Sequence, residues 1–271
     1  MQEELRRLQL TQLEILKIID SICRQHNIPY SLYAGSLLGA VRHQAFIPWD
    51  DDLDVCMNRS DYDRFLEIWK KSPPEGYFLQ NKDNAPVFPQ SFSKIRKNHT
   101  TFLLYDDKPE CYHTGIFVDI FPVDRIPEGR FAQMLFRWDC MHYQLLNREF
   151  VPSKSNAAVK AASAIILAAT PKGRRPAARR RLLNRITRYR DRRDLPIIFI
   201  ETVASMKKLY PADMMDRFVD LPFEDSAYQC MEQWDNNLKI KYGDYMKLPP
   251  ESNRVWAHPP VCLDFEHSYG E

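Results

Sequence analysis

The chain has 271 residues and a formal net charge of +2; 44% of the residues are hydrophobic and 27% charged. That balance is ordinary for a folded enzyme, excludes a disordered chain, and the small net charge argues against a nucleic-acid partner. Glycine is scarce at 8 against 19 prolines, which weighs against glycine-rich phosphate loops and large β-barrels.

Six cysteines (Cys23, Cys56, Cys111, Cys140, Cys230 and Cys262) form no CxxC pair. Reduced thiols are therefore expected rather than a zinc site. The start, Met1-Gln2-Glu3-Glu4, is polar and has no apolar signal segment, so a cytoplasmic location is expected. No apolar run approaches the ~18 residues needed to span a bilayer. The nearest is Ala161 to Thr170.

Residues 3–26 read as an amphipathic helix, with Leu8, Ile15, Leu16, Ile19, Ile22 and Cys23 at helical spacing. Asn27 and Pro29 end it. Tyr30 to Ala34 forms a short strand, Gly35-Ser36 a turn, and Leu37 to His43 one or two helical turns. Asp52 to Met57 alternates as a strand does. Ser60 begins a helix with Asp63 as its capping-box partner. Tyr62, Phe65, Leu66 and Trp69 are its buried stripe, and Pro73-Pro74 stops it.

Residues 77–121 are β-rich. Strands are expected at Phe78–Gln80, Ser93–Arg96, Thr101–Tyr105 and Ile116–Phe121, ended by Pro122 and Pro127. Phe131 to Phe150 is helical. A strand near Phe218, a helix from about Asp235 to Tyr242 and a proline-rich tail follow. The fold class is α+β: a mixed sheet with flanking helices. Three regions are expected: a catalytic core at 1–150, a basic helical insertion at 151–195, and a C-terminal part at 196–271 that completes the substrate site.

The insertion holds thirteen cations, among them Lys154, Lys160, Lys172, Arg174, Arg180 and Arg193, opposed only by Asp191 and Asp194. It reads either as a solvated helical insert or as an interfacial helix on an anionic membrane. In the second case Ala161, Ile165, Ile166 and Leu167 meet the lipid, and the protein is peripheral on the inner face of the cell membrane.

The chemistry sits in Trp49-Asp50-Asp51-Asp52-Leu53-Asp54. Two residues apart in a strand, Asp52 and Asp54 project from one face. Carboxylates so close repel one another unless a proton or a cation lies between them. Oxygen-only ligands favour Mg²⁺ or Mn²⁺. Asp119 stands alone in Ile116-Phe-Val-Asp-Ile-Phe121, where an unpaired charge is costly.

The stretch Tyr33-Ala-Gly-Ser-Leu-Leu-Gly-Ala-Val-Arg-His-Gln-Ala-Phe-Ile-Pro-Trp-Asp-Asp-Asp-Leu-Asp-Val55 resembles the LicD family, bacterial phosphotransferases related to the fukutin proteins. So do Ser93-Lys-Ile-Arg96, Val118-Asp-Ile-Phe-Pro-Val-Asp124 and Tyr242-Gly-Asp-Tyr-Met-Lys-Leu-Pro-Pro250. Ala34 and Ala45 stand where the family usually has glycine, and Gln44 where lysine is common. His258 is followed by Pro259 where the family tends to pair histidines.

The resemblance implies a nucleotidyltransferase-like fold and transfer of phosphocholine from CDP-choline to a hydroxyl of a surface glycan of the lipopolysaccharide or teichoic-acid kind, or of its lipid-linked precursor. CMP would leave. Relatives that move other CDP-linked alcohols, ribitol or glycerol, and enzymes that move a nucleotide from an NTP, share the same cation geometry. An inactive binding module on the same fold is disfavoured by the intact Asp52, Asp54 and Asp119.

The expected cation ligands are Asp52 and Asp54, with Asp50 beside them. Asp119 is either a third ligand or the general base for the acceptor. Gly35 and Ser36 let backbone approach a phosphate. Arg42, His43, Lys94, Arg96 and Lys97 are candidate phosphate cations. Trp49, Tyr33 and Tyr105 offer aromatic faces to a choline headgroup, and His258 a substrate contact.

Overall fold

A computed structural model describes residues 2–152 and 156–271; Lys154 lies outside them. The first element is α1 (Gln2–Gln25), whose buried face carries Leu5, Leu8, Ile15, Leu16 and Ile19. Next come β1 (Ser31–Leu32), α2 (Ala34–His43), β2 (Asp54–Asn58), α3 (Arg59–Lys71), β3 (Tyr77–Gln80), β4 (Ser93–Lys97), β5 (Thr101–Leu103) and β6 (Phe117–Arg125). After them run α4 (Arg130–Arg148), α5 (Ala157–Ala169), α6 (Arg175–Ile186), β7 (Ile197–Phe199), β8 (Phe218–Phe223), β9 (Ser226–Met231), α7 (Trp234–Tyr242) and β10 (Cys262–Asp264).

The main sheet runs β1-β2-β6-β4-β3, with β7 also on β6. β2 and β6 are parallel, and the other pairings in it are antiparallel. The sheet is mixed, with helices around it, which is the expected α+β class. Its core joins α1, α2, α3 and all six strands to β8, β9 and α7, from Leu5 to Tyr245. A second apolar cluster, from Ile126 to Met206, holds α4, α5 and α6 together. All six cysteines are free thiols, and among the described residues no helix is long and apolar enough to cross a membrane.

Several local expectations change. Gly35 and Ser36 form the first turn of α2 rather than a separate turn. α2 begins at Ala34 in the left-handed region, φ 50°, where glycine is favoured. The strand expected from Asp52 starts at Asp54. No capping box forms at α3: its N-cap Asn58 has no side-chain cap, and Asp63 lies 3.9 Å from Arg59 and 3.4 Å from Arg190 instead.

Pro122 does not end β6, which runs on to Arg125. The reason is pairing geometry. The Asp119 N–H donates to the Leu53 carbonyl on the β2 side, so by alternation the Pro122 nitrogen faces the opposite side. There β4 pairs only as far as Ile120 and β7 only from Val123, so no ladder bond is lost.

Candidate active site

Three strands set the centre of the site. Asp54 of β2 pairs with Asp119 of the parallel β6, and Asp119 pairs on its other side with Lys94 of β4. Residues paired across neighbouring strands point to the same face. Two carboxylates and an ammonium therefore form one row. Lys94 Nζ donates to Asp119 Oδ1 at 2.6 Å and stands 3.3 Å from the centroid of the Phe117 ring. Asp54 and Asp119 are 8% and 7% exposed.

The aspartate run leading into β2 is held from several directions. Gln9 and Gln12, buried polar residues of α1, donate to the carbonyls of Asp50 and Asp51, each at 2.9 Å. Ser36 Oγ accepts from the Asp54 N–H at 2.8 Å. The wholly buried Asp51 carboxylate accepts from the His258 N–H at 2.6 Å. His258 Nδ1 lies 3.3 Å from Asp51 and 3.6 Å from Asp52. This histidine lies in the segment just before β10, whose pairing with β5 anchors the C-terminal stretch.

Gly35 makes room for Asp50. A Cβ there would lie 2.5 Å from Asp50 Oδ2, closer than atoms can pack. We expect Gly35→Ala to fold normally, since Asp50 can swing aside. It should lose about tenfold or more in kcat/KM, because a displacement of about 1 Å at reacting groups is that costly. Circular dichroism and steady-state kinetics check the two halves of this prediction.

Crowding of negative charge is the dominant electrostatic feature. Burial first, then Asp52 and Asp51, push the Asp50 carboxyl up to about 8. Burial pushes Asp52 up to about 6, with Asp119 and Asp51 adding to it and His258 opposing. Asp54 rises well above the carboxylate range through burial and the charges of Asp52, Asp119 and Asp50. Burial also raises Asp119, against the pull of Lys94. The bond from Asp51 raises His258.

Lys94, His258 and Lys241 leave this negative charge only partly balanced. A hard, oxygen-seeking divalent cation matches such a donor set. Asp50, Asp52, Asp54 and Asp119 feel one another's charge across the site. A second, overlapping donor set is Asp51, Asp52 and His258, whose ligand atoms all lie within 4.8 Å of one another. Asp52 belongs to both.

The other expected residues fall in different places. Arg42, Trp49, Asp50 and Gly35 line a cavity of about 460 Å³ together with Tyr242 and Tyr245. Arg42 donates to His43 Nε2 and to the Tyr245 carbonyl, both at 3.0 Å, and the Arg254 guanidinium lies 5.4 Å from the Trp49 ring. Arg96 is fully buried and donates to the Gly115 carbonyl. Lys97 pairs with Glu14 on α1. Tyr33 is a core residue, stacked on Phe199, with Lys241 donating to its hydroxyl at 2.7 Å. Tyr105 is 88% exposed on the loop after β5.

Sequence reasoning missed Asp51, Lys241 and Tyr242 as site residues. Lys241 lowers Asp54, and burial beside Asp54, Asp50 and Asp52 raises Tyr242. The motif beginning at Tyr242 was a faint signal for that tyrosine, and none pointed to Lys241. Asp51 had none, since any of the clustered aspartates could have been the buried one.

The model of the family described as "LicD/FKTN/FKRP, nucleotidyltransferase domain" matches residues 27–150, which span α2, β2, β4 and β6 and so the whole carboxylate row. The chain is 30% identical over 261 residues to the lipopolysaccharide cholinephosphotransferase LicD of Haemophilus influenzae, covering 94% of this chain and 96% of that one. It is 32% identical over 115 residues to an uncharacterized protein of Rickettsia typhi, 42% of this chain and 35% of that protein. A protein of Rickettsia prowazekii, also uncharacterized, is 30% identical over 128 residues, 44% and 47% of the two chains. With a buried row of carboxylates inside the matched domain and similarity that runs nearly from end to end, the chain belongs to the LicD family of phosphotransferases.

Proposed function

We propose that this protein transfers phosphocholine from CDP-choline to a hydroxyl of a cell-surface glycan or its lipid-linked precursor, with Mg²⁺ or Mn²⁺ at the carboxylates. The observation that carries the reading is the Asp54–Asp119–Lys94 row, in a chain similar over 94% of its length to a lipopolysaccharide cholinephosphotransferase. In this reading Asp52 and Asp54, with Asp50, hold the cation. A cation bound there would draw phosphate oxygens together and offset charge developing at phosphorus.

Asp119 takes the acceptor proton. Lys94 already occupies its Oδ1, which leaves Oδ2 to accept. The hydroxyl oxygen bonds to the distal phosphorus, the bond from that phosphorus to the bridging oxygen breaks, and CMP departs with that oxygen. Trp49, Tyr242 and Tyr245 give the cavity beside Asp50 aromatic surface suited to a quaternary ammonium. The chain works at the cytoplasmic side, where CDP-linked donors are made available.

The test is direct. The purified protein is incubated with Mg²⁺ and CDP-choline, CDP-ribitol, CDP-glycerol, CTP or ATP, with and without glycan acceptors. The expected products are CMP and a phosphocholine-bearing glycan from CDP-choline. CMP from CDP-ribitol or CDP-glycerol alone would change the cargo. Pyrophosphate from CTP or ATP would replace the reading with nucleotide transfer.

A pH-dependent stability follows from the same carboxylates. The folded state holds Asp50 and Asp52 protonated up to about 8 and about 6, whereas an unfolded aspartate loses its proton near 4. Without a divalent cation, stability should therefore fall as pH rises from about 4 to about 8. The raised His258 acts in the same direction. Added Mg²⁺ should raise Tm more at pH 8 than at pH 6, because the cation competes with fewer protons. An equal shift at both pH values, in a thermal melt, would count against the cation site.

A further inference from the structure

The most unusual surface lies away from the carboxylates, on α4 and α5. α4 is apolar on two opposite sides. Phe136, Cys140, Tyr143 and Leu146 face the second apolar cluster. On the far side Phe131, Met134, Leu135, Trp138 and Met141 are exposed, Trp138 by 52%. At 100° per residue these five fall within an arc of about 120°. An ordinary surface helix has one apolar stripe, facing the core; this one carries a second on its outer side.

α5 continues the same surface. Its thirteen residues carry one charge, Lys160, and bury only Ser163 and Leu167; Ile165 is 68% exposed. The two helices are joined by a mostly apolar cavity of about 330 Å³, lined by Trp138, Met141, Val159, Ile166 and Val203. Trp138 and Met141 of α4 thus meet Val159 and Ile166 of α5 across that cavity, and Phe131, Met134, Leu135 and Ile165 are exposed outside its lining. Such a face exceeds scattered surface residues, and marks a contact with a partner.

The rim identifies the partner. Arg130, Arg137 and Arg148 recur at helical spacing along one flank of the α4 stripe. Lys160, Lys172, Arg174, Arg180 and Arg181 on and beyond α5 are exposed and, among the described residues, have no carboxylate within ion-pair distance. A second copy of this chain would bring like charges together. An anionic lipid surface complements them. At thirteen residues, α5 is too short to span a bilayer but suited to lie in its interface.

We propose that the exposed α4–α5 face docks this protein on an anionic membrane, with Trp138, Met134 and Ile165 entering the headgroup region and the surrounding cations meeting lipid phosphates. The face adjoins the segment after β7: Gln144 of α4 donates to the Ile200 carbonyl, and Arg137 donates to the Met206 carbonyl at 2.9 Å. Glu201 of that segment accepts from the Tyr33 hydroxyl at 3.1 Å. Docking there would hold the active site close to a lipid surface.

Flotation with vesicles tests this, using the full chain. Vesicles containing phosphatidylglycerol should capture the protein at low salt, and vesicles of phosphatidylcholine alone should capture much less. Raising salt should release it. Met134→Ser/Trp138→Ser/Ile165→Ser should weaken capture about tenfold or more. Lys160→Gln/Lys172→Gln/Arg174→Gln should weaken it roughly a hundredfold. Both variants should keep the thermal midpoint and the transfer rate to a soluble acceptor, so that a failure of docking is separable from a failure of the chemistry. No capture by anionic vesicles at low salt overturns the proposal. So does capture that neither variant reduces, or a dimer that the apolar variant converts to monomer without any vesicle binding.

Discussion

Asp54→Ala is expected to lower the transfer rate by about a thousandfold or more, with Asp52→Ala close behind. The magnitude follows from losing several kcal/mol of charge stabilisation at phosphorus, at about 1.4 kcal/mol per factor of ten. Asp54 stands at one end of the row, between Asp119 and the aspartate run, and it is buried. In the proposed reading, removing it takes away one cation ligand and leaves the others misplaced. The fold should survive, because loss of a buried carboxylate relieves repulsion with Asp52, Asp119 and Asp50. In the absence of divalent cation the variant should melt at or above the wild-type temperature. Isothermal titration with Mg²⁺ and a rate assay measure the two effects separately. A variant with full activity would remove Asp54 from the site.

The second large effect is structural. Arg59, at the start of α3, donates from Nε and Nη2 to the two oxygens of Asp124 at 2.8 and 2.7 Å. Both residues are buried, 5% and 1% exposed. The pair ties α3 to the end of β6. Arg59→Met leaves the Asp124 carboxylate buried without its partner, a cost of about 3–5 kcal/mol. In a chain of this size that is a fall in Tm of roughly 10 °C. Arg59→Met/Asp124→Leu should recover most of the loss, because the pair together has little net value over apolar side chains that fit. A double variant as unstable as Arg59→Met would show that the pair has a larger role than neutralising one charge.

How much of this was legible in the chain itself can be judged residue by residue. The helix now seen as α1 was visible because its apolar residues recur at helical spacing, and so was the stripe of α3. Asp119 was visible because a single charge in an apolar strand needs a partner. Asp52 and Asp54 were visible as a pair, although β2 starts only at Asp54. The hydrogen bond from the Asp119 N–H to the Leu53 carbonyl extends the pairing one residue towards Asp52, so the sequence argument brought the two aspartates to one strand end while misplacing the strand's start.

The exposed stripe on α4 was not legible. Its spacing resembles a core-facing helix, and only the packing of Cys140 and Tyr143 into the second cluster shows that a second apolar face remains outside. Pro122 misled for a related reason. Proline ends a strand only where its nitrogen is needed, and that depends on where β4 stops and β7 begins.

Composition, periodicity and the dense aspartate run determined the fold class, the main helices and the carboxylates. Those signals are local, since a helix or strand repeats its apolar residues within a few positions. The tertiary structure decided the rest. Lys94 lies 25 residues from Asp119, and His258 lies 207 residues from Asp51. Contacts between such distant residues leave no periodic trace. They exist because the parallel β2–β6 pairing and the return of β10 to β5 put separate segments against one another, and a single buried charge then requires its opposite nearby.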